Sequence, residues 1–219
     1  MPAEAKPTEL ILIRHGESVA NVTPIVAGMQ GDVGLTDRGH RQAAALADRM
    51  REEKFSADVL YASTLPRAQQ TVGYVAPVLG LSVQDEDDLQ ELRVGVADGL
   101  SNAEWAARWP GLTEGFWSRP YQEFAPGGES WCALQLRVGR TLTGLVERHR
   151  GERVVAVTHG GVIEASFAMA FGMGAGARSV GFDLTNTGIT TWRYSPDSPR
   201  GRWTLLAAND TAHLARLEP

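Results

Sequence analysis

Two apolar runs that each end in a histidine and a glycine constrain the fold of this chain more than any other feature. The first run is Leu10–Ile13, which is followed by RHG at 14–16, and the second opens the stretch VVAVTHGG at Val154–Gly161. Both runs are β-branched or aliphatic without alternation, which is typical of short strands buried on both faces of a parallel sheet. If the two strands lie side by side, His15 and His159 emerge at one edge of the sheet, where open α/β sheets bind their ligands.

The residues around the two histidines suit an anionic ligand. Arg14 supplies a guanidinium, while Gly16 and Gly160 let the backbone approach a ligand with amide hydrogens free to donate. Arg67 follows another predicted strand, at 58–62, and lies in the first turn of a helix, where a cation opposes the helix dipole. A bound anion would resolve that conflict. Pairing of Arg67 with a nearby carboxylate is the open alternative.

Composition limits the classes of protein that fit. The 219 residues, 43% of them hydrophobic, can bury one substantial α/β core, which predicts a single domain over 1–219. The net charge of -5 argues against a nucleic-acid partner. A single cysteine, Cys132, excludes an intrachain disulfide and fits a reducing cytosol. Because neither a signal-peptide core nor a long uncharged apolar stretch is visible, we expect a soluble, cytoplasmic protein without a membrane partner.

Three segments read as irregular. Residues 1–8 form a loosely ordered lead-in, and Val22–Gly34, with its proline and glycines, forms a loop over the site. Pro110–Gly128 is rich in proline, glycine and aromatic residues and reads as a lid-like insertion. The 22–34 and 110–128 segments would shape any substrate pocket.

Between these segments the sequence predicts regular elements. A helix with an apolar stripe should have Thr36 or Asp37 as its cap and end near Glu53, and the next helix should start with Thr64 as its cap and Pro66 in its first turn. Further predicted elements are a helix over Glu129–Arg150, a helix over Val162–Phe171, and β-rich runs at Val180–Leu184, Gly188–Tyr194 and Arg202–Asn209.

Glu91 is the carboxylate that differs from its neighbours. The acidic run Asp85–Asp88 has the pattern of solvated surface, whereas Glu91 lies between Leu89 and Leu92. Apolar surroundings favour the protonated form of a carboxyl group, which a general acid requires. Glu91 is therefore a candidate acid.

Five short motifs occur in a fixed order along almost the whole chain. They are RHGE at 14–17 with Asn21, STLPRAQQT at 63–71, Glu91 with Gly95 and Gly99, GGES at 127–130, and THGG at 158–161. In this order they resemble the histidine phosphatase superfamily, in its phosphoglycerate-mutase-like branch. The resemblance implies an α/β fold, a three-layer sandwich with a mostly parallel central sheet flanked by helices.

The resemblance also implies a role for each matching residue. His15 would be the nucleophile that becomes a phosphohistidine, while Arg14, Arg67 and His159 would hold the phosphate oxygens. Asn21 and the Gly160 amide would add donors to the phosphate pocket, and Glu91 would protonate the leaving oxygen and then activate water. No metal or other cofactor would be needed, because arginines replace the magnesium of other phosphoryl-transfer sites. The partner would be a small phosphorylated metabolite.

Departures from the family pattern decide between activities. The spacing from Gln30 to Asp32 is shorter than usual, and Glu91 is followed by Leu-Arg-Val-Gly instead of the Arg-x-Tyr-Gly of mutases. The ending Asn209-Asp210-x-x-His213-Leu214 also resembles phosphatases. We therefore expect a phosphatase acting on a small phosphomonoester, with a cofactor-dependent phosphoglycerate mutase as the alternative.

Two other classes fit less well. A metal-dependent hydrolase would need closely spaced histidines such as HExxH, which the sequence lacks. An inactive scaffold would have lost His15, Arg67 or His159, and all three are present. His40, His149 and His213 are expected to be structural. The C-terminal β-rich segments could supply the surface of a homodimer.

Overall fold

The computed structural model describes residues 6–116, 118–174, 180–198 and 202–217. Within these ranges the chain forms one six-stranded sheet with helices on both faces. The strands are β1 (Thr8–Arg14), β2 (Val59–Ala62), β3 (Val83–Asp85), β4 (Arg153–Thr158), β5 (Ile189–Tyr194) and β6 (Trp203–Asp210). Their order in the sheet is β3-β2-β4-β1-β5-β6, with β1 to β4 mutually parallel, β5 antiparallel to β1, and β6 antiparallel to β5. The predicted mostly parallel central sheet is confirmed.

The helices of the described ranges flank this sheet. They are α1 (Val19–Val22), α2 (Asp37–Glu52), α3 (Pro66–Leu79), α4 (Asn102–Arg108), α5 (Pro110–Thr113), α6 (Trp131–Arg148) and α7 (Gly160–Ala170), with 3₁₀ turns at Asp87–Leu89, Gly95–Ala97 and Ala212–Arg216. Helices α6 and α7 share one apolar cluster with Leu10 and Leu12 of β1. Helices α2 and α3 share another with Ile11 and Ile13. The three layers follow from this, because alternate residues of one strand point to opposite faces.

The central strand β1 is buried as its sequence predicts. Leu10, Ile11, Leu12 and Ile13 are at most 1% exposed. Each such side chain contributes roughly 1.5–3 kcal/mol when it is removed from water. This burial fixes the strand that carries Arg14 and His15 at its end.

The start of one helix agrees with the sequence-based prediction, and the starts of two others differ from it. Thr36 caps α2 by accepting a hydrogen bond from the Gly39 amide at 3.0 Å. Ser130 caps α6, which therefore begins at Trp131 rather than Glu129. The prediction of Thr64 as cap of α3 is wrong: Leu65 takes that position, and the Thr64 hydroxyl donates to Asp87 instead.

Two predicted segment boundaries also need correction. Thr8 does not belong to the lead-in but is the first residue of β1, and its hydroxyl donates to the His149 carbonyl at 3.2 Å. Residues 1–5 lie outside the described part of the chain. Val180–Leu184 forms no strand in the described ranges. Its Leu184 carbonyl accepts a hydrogen bond from Arg14 rather than from a neighbouring strand.

The two segments near the sheet's carboxyl edge are irregular but packed. In the 22–34 loop, the amides of Gly28, Gln30 and Gly31 all donate to the Asp98 carboxylate at 2.8–2.9 Å. The 110–128 segment starts with α5, and Phe124 stacks on Trp105 with ring centroids 4.0 Å apart. Trp117 lies outside the described residues.

Candidate active site

The pairing of β1 with β4 brings the two histidines together. Arg14 is paired with Thr158 in the parallel ladder, and the His15 amide donates to the Thr158 carbonyl at 2.9 Å. The next residue of each strand is therefore a histidine at the same edge. The imidazole centroids of His15 and His159 lie 5.0 Å apart, and the two residues are 2% and 0% exposed.

Hydrogen bonds define which nitrogen of each imidazole carries its proton. The His15 Nδ1–H donates to the Gly16 carbonyl at 2.7 Å, because a carbonyl oxygen can only accept. This leaves a lone pair on Nε2. On His159 the lone pair is on Nδ1, which accepts from Arg67, and Nε2–H donates to the Ser63 hydroxyl at 2.7 Å. One Arg67 Nε–H is shared between His15 Nε2, at 3.1 Å, and His159 Nδ1, at 3.2 Å.

Burial and nearby positive charge keep both rings neutral. Desolvation is the main cause that lowers the pKa of His15 well below its ordinary value, with Arg67 and Arg14 adding to it. The pKa of His159 is lowered in the same way by burial and then by Arg67. A neutral imidazole with a free lone pair is a nucleophile, whereas an imidazolium is not.

Arg67 is held by a carboxylate as well as by the imidazoles. Its Nη1 donates to Asp32 at 2.9 Å, and the two side chains are 5% and 0% exposed. The same Asp32 oxygen accepts from the Arg67 backbone amide at 3.2 Å, and the other accepts from Gly34. The carboxylate pairing left open by the sequence is therefore present. It does not exclude an anion site, because Asp32 binds Nη1 while Nε faces His15 and His159.

Arg14 presents an unused donor beside helix α7. Its Nη1 donates to the Leu184 carbonyl, but its Nε is buried and has no hydrogen-bond partner among the described residues. Burial lowers the pKa of the guanidinium, while Glu91 opposes that shift. A methyl group placed on Gly160 would lie 3.5 Å from this Nε. An anion at the N terminus of α7 would satisfy it, together with the Gly160 amide.

Glu91 lies across this helix terminus from Arg14. Its two oxygens accept from the Leu92 amide at 2.9 Å and the Gly161 amide at 3.0 Å. The flanking leucines are buried, as predicted, but the Glu91 side chain is half-buried and is held by backbone amides rather than enclosed by apolar groups. A side chain at 161 would displace the Glu91 carboxyl group, because a Cβ there would lie 2.1 Å from a Glu91 oxygen.

Glu91 lines a cavity of about 180 Å³. The other lining residues are Gly28 and Met29 of the 22–34 loop, Leu65 at the start of α3, Gln90 and Leu92–Gly95 on either side of Glu91, and Asp98. A leaving group could occupy this space. A larger cavity, of about 610 Å³ beside Arg49 and His213, is lined by none of the predicted site residues.

Asn21 reaches the site through a residue that sequence reasoning missed. Its Oδ1 accepts from Ser18 at 3.0 Å and from Asn186 at 3.2 Å, so its own amide N–H groups are not used by these bonds. Asn186 also donates to the His15 carbonyl at 3.0 Å. Asn186 lies in the loop after Val180–Leu184, the segment that was wrongly predicted as a strand. No motif or pattern in the sequence indicated that it reaches the site.

The remaining histidines have structural partners. His40 bonds to Tyr74, His149 to Tyr61, and His213 to Thr187. In the ranges that the structure describes, no group of three His, Cys, Asp or Glu side chains is arranged to hold a metal ion. No helix in those ranges is long and apolar enough to cross a membrane.

Comparison with known proteins assigns the chain to a family. Residues 10–211 match the model of the histidine phosphatase superfamily (branch 1), and the chain belongs to that family. The expected family and fold are confirmed.

Relatives of known name carry both activities that the sequence left in competition. A metal-independent phosphoserine phosphatase of Arabidopsis thaliana is 36% identical over 166 residues, which are 75% of this chain and 69% of that protein. A 2,3-bisphosphoglycerate-dependent phosphoglycerate mutase of Brucella anthropi is 34% identical over 162 residues, or 71% and 78% of the two chains. Among solved structures, Bacillus stearothermophilus YhfR superposes with a TM-score of 0.83 at 28% identity, covering 94% of this chain and 99% of that one.

Proposed function

We propose that this chain is a metal-independent phosphatase that hydrolyses a small phosphomonoester through a phosphohistidine on His15. The observation that carries the proposal is the unprotonated Nε2 of His15, whose lone pair accepts a hydrogen bond from the Arg67 Nε–H at 3.1 Å. A nucleophile with a cationic hydrogen-bond donor beside it suits phosphoryl transfer, because the donor can stabilise the negative charge on the phosphoryl oxygens.

The chemistry follows from the contacts. A phosphate group that enters the site accepts a hydrogen bond from the Arg67 Nε–H, in which it replaces the two imidazoles as acceptor. It also accepts a hydrogen bond from the Arg14 Nε–H, which has no partner among the described residues. His15 Nε2 then attacks phosphorus, and the P–O bond to the leaving group breaks. The departing oxygen takes a proton from Glu91, which lies beside the leaving-group cavity.

Hydrolysis of the intermediate reverses these roles. The Glu91 carboxylate takes a proton from a water molecule, the resulting oxygen attacks phosphorus, and the P–N bond to His15 breaks. Inorganic phosphate leaves and the neutral imidazole is restored. Arg14, Arg67, Asn21 and the Gly160 amide stabilise the charge on the phosphoryl oxygens in both steps.

A phosphoglycerate mutase is the second candidate, and the similarity to a mutase of Brucella anthropi is the observation that favours it. We prefer hydrolysis because Leu92, Arg93, Val94 and Gly95 follow the acid and line the leaving-group cavity, where mutases usually have Arg-x-Tyr-Gly. Small phosphorylated acids such as phosphoserine and 3-phosphoglycerate are the first substrates to test, since a relative acts on phosphoserine by its name.

The test is phosphate release in EDTA from a panel of phosphomonoesters, with 2-phosphoglycerate formation from 3-phosphoglycerate followed in parallel. We expect release without isomerisation and an acid-labile phosphoenzyme. His15→Ala should abolish turnover and labelling, whereas His40→Gln, outside the site, serves as the matched control. Turnover retained by His15→Ala would refute the mechanism, and isomerisation that depends on 2,3-bisphosphoglycerate would identify a mutase.

Two further expectations complete the proposal. We infer a cytoplasmic location from the single cysteine and from the use of a small metabolite. A homodimer is proposed through the C-terminal strands, where β6 forms an edge of the sheet. Light scattering on the purified chain tests the dimer, and fractionation of the source cells tests the location.

A further inference from the structure

Arg137 is a buried arginine that the phosphatase chemistry above does not use. It lies on α6, 9% exposed, and each of its five N–H hydrogens has an acceptor. Nε and Nη2 donate to the two carboxylate oxygens of Glu129, at 2.7 and 2.6 Å. The other hydrogens go to three backbone carbonyls.

Those three carbonyls belong to the segment that carries Glu91. Nη1 donates to the carbonyls of Asp88, at 2.7 Å, and Gln90, at 2.9 Å, and Nη2 donates to the carbonyl of Glu91 itself, at 3.2 Å. Arg137 therefore fixes the backbone on the N-terminal side of the acid through direct hydrogen bonds.

Glu129 fixes the other side of the same segment. Its carboxylate accepts from the Arg93 amide at 3.0 Å, and its own amide donates to the Arg93 carbonyl at 2.7 Å. The pair thus encloses residues 88–93 between the start of α6 and its second turn. A buried guanidinium needs acceptors for its N–H groups, and here three of those acceptors are carbonyls of the segment that carries Glu91.

We propose that Arg137, together with Glu129, is a positioning residue that holds Glu91 at the leaving-group oxygen. The inference rests on the proposed function, because it assumes that Glu91 is the acid. Arg137 and Glu129 set the backbone at Glu91, and the Gly161 amide then orients the carboxyl group. A displacement of about 1 Å in an acid can cost a large part of its catalytic contribution.

A lysine cannot replace this arginine. The guanidinium reaches three carbonyls and one carboxylate from a rigid plane, whereas an ammonium has three donors at one point. Arg137→Lys therefore keeps the charge beside Glu129 but frees part of the 88–91 backbone. Arg140→Lys is the matched control, because Arg140 lies on the same helix but is exposed.

The experiment compares kcat/KM for an alkyl phosphate, whose leaving oxygen needs a proton, with that for p-nitrophenyl phosphate, whose leaving group hardly needs one. If Arg137 positions the acid, Arg137→Lys should lose at least about tenfold on the alkyl ester and less than about threefold on the aryl ester, since general acids contribute on the order of 10²–10⁴-fold. In a Glu91→Gln background the same substitution should have little further effect on that ratio.

Other outcomes overturn the inference in recognisable ways. Equal losses on both esters, or none beyond those of Arg140→Lys, would mean that Arg137 only supports the fold. If Arg137→Lys does not fold, Glu129→Gln provides the same comparison with the guanidinium retained. If the wild type releases no phosphate, or if Glu91→Gln loses equally on the alkyl and the aryl ester, the proposed function itself is refuted. If the wild type releases phosphate and Glu91→Gln loses more on the alkyl ester, a negative result with Arg137→Lys refutes only the positioning role of Arg137.

Discussion

Acidification should destabilise this protein through its buried histidines. Burial and the neighbouring arginines hold the pKa of His15 and of His159 well below the ordinary value near 6.5. Burial similarly lowers the pKa of His213 to about 4. Below pH ~6.5 the unfolded chain therefore binds protons at these three positions and the folded chain does not, so the free energy of unfolding falls as the pH falls.

The size of this loss in the free energy of unfolding follows from the number of histidines that stay neutral in the folded state. Each histidine that stays neutral in the folded state contributes a loss of roughly 1.4 kcal/mol between pH 7.5 and 5.5. Three such residues give about 4 kcal/mol, a large part of the ~5–15 kcal/mol by which single domains are stable. The loss should be almost absent between pH 8.5 and 7.5, where histidines do not titrate in either state.

Urea unfolding at pH 8.5, 7.5 and 5.5 measures this difference. In His15→Gln the loss between pH 7.5 and 5.5 should shrink by about 1.4 kcal/mol, because one of the titrating groups is gone. Comparison of the same protein at two pH values cancels the effect of the substitution on packing. A loss as large in His15→Gln as in wild type would mean that His15 is already protonated when folded, and it could not then be the neutral nucleophile.

Three substitutions test other contacts. Asp32→Asn leaves Arg67 without its buried carboxylate and should cost about 3–5 kcal/mol in urea unfolding; a change below ~1 kcal/mol would show that the pair is not needed. Gly161→Ala forces the Glu91 carboxyl to move and should lower kcat on alkyl phosphates at least about tenfold. Gly144→Ala, which has open space around it, is the control, and equal activity of the two variants would argue against Glu91 as the acid. Leu142→Ala opens a cavity under α6 and should cost about 2–5 kcal/mol in unfolding without changing kcat of the folded fraction, and a loss of kcat would mean that the core deforms the site.

Local patterns were enough to predict the parts of the site that follow strands. The apolar runs before His15 and His159 predict buried strands, and their parallel pairing is confirmed by the register from Glu9 with Arg153 to Arg14 with Thr158. The helix at Thr36 is equally local, because its cap and its apolar stripe lie within one short stretch.

The parts that sequence reasoning missed depend on contacts between distant residues. Asp32 and Asn186 come from loops, and nothing near them in sequence indicates that they reach Arg67 and the His15 carbonyl. One signal did exist: a cation in the first turn of α3 required a counter-charge, and the sequence could not say whether a carboxylate or a ligand supplied it. Arg137 resembles any charge on an amphipathic helix until its acceptors are known.

The Val180–Leu184 strand was predicted wrongly for a related reason. Its apolar residues, Val180, Phe182 and Leu184, favour extended backbone, but they do not provide a neighbouring strand to pair with. Here β5, beginning at Ile189, pairs with β1, and the Leu184 carbonyl binds the Arg14 side chain instead.

Correct pairing of β1 with β4 during refolding can be followed by the recovery of catalytic activity. Glu9 and Arg153, which pair there, are 144 residues apart in the chain, so this pairing is among the slow steps expected in assembly. A shift of one residue would turn every side chain of the strand to the opposite face and separate the imidazoles. Such a molecule could regain its helical circular dichroism and still hydrolyse nothing. Recovered turnover per milligram would therefore count correctly assembled molecules, and it should return later than the spectroscopic signal.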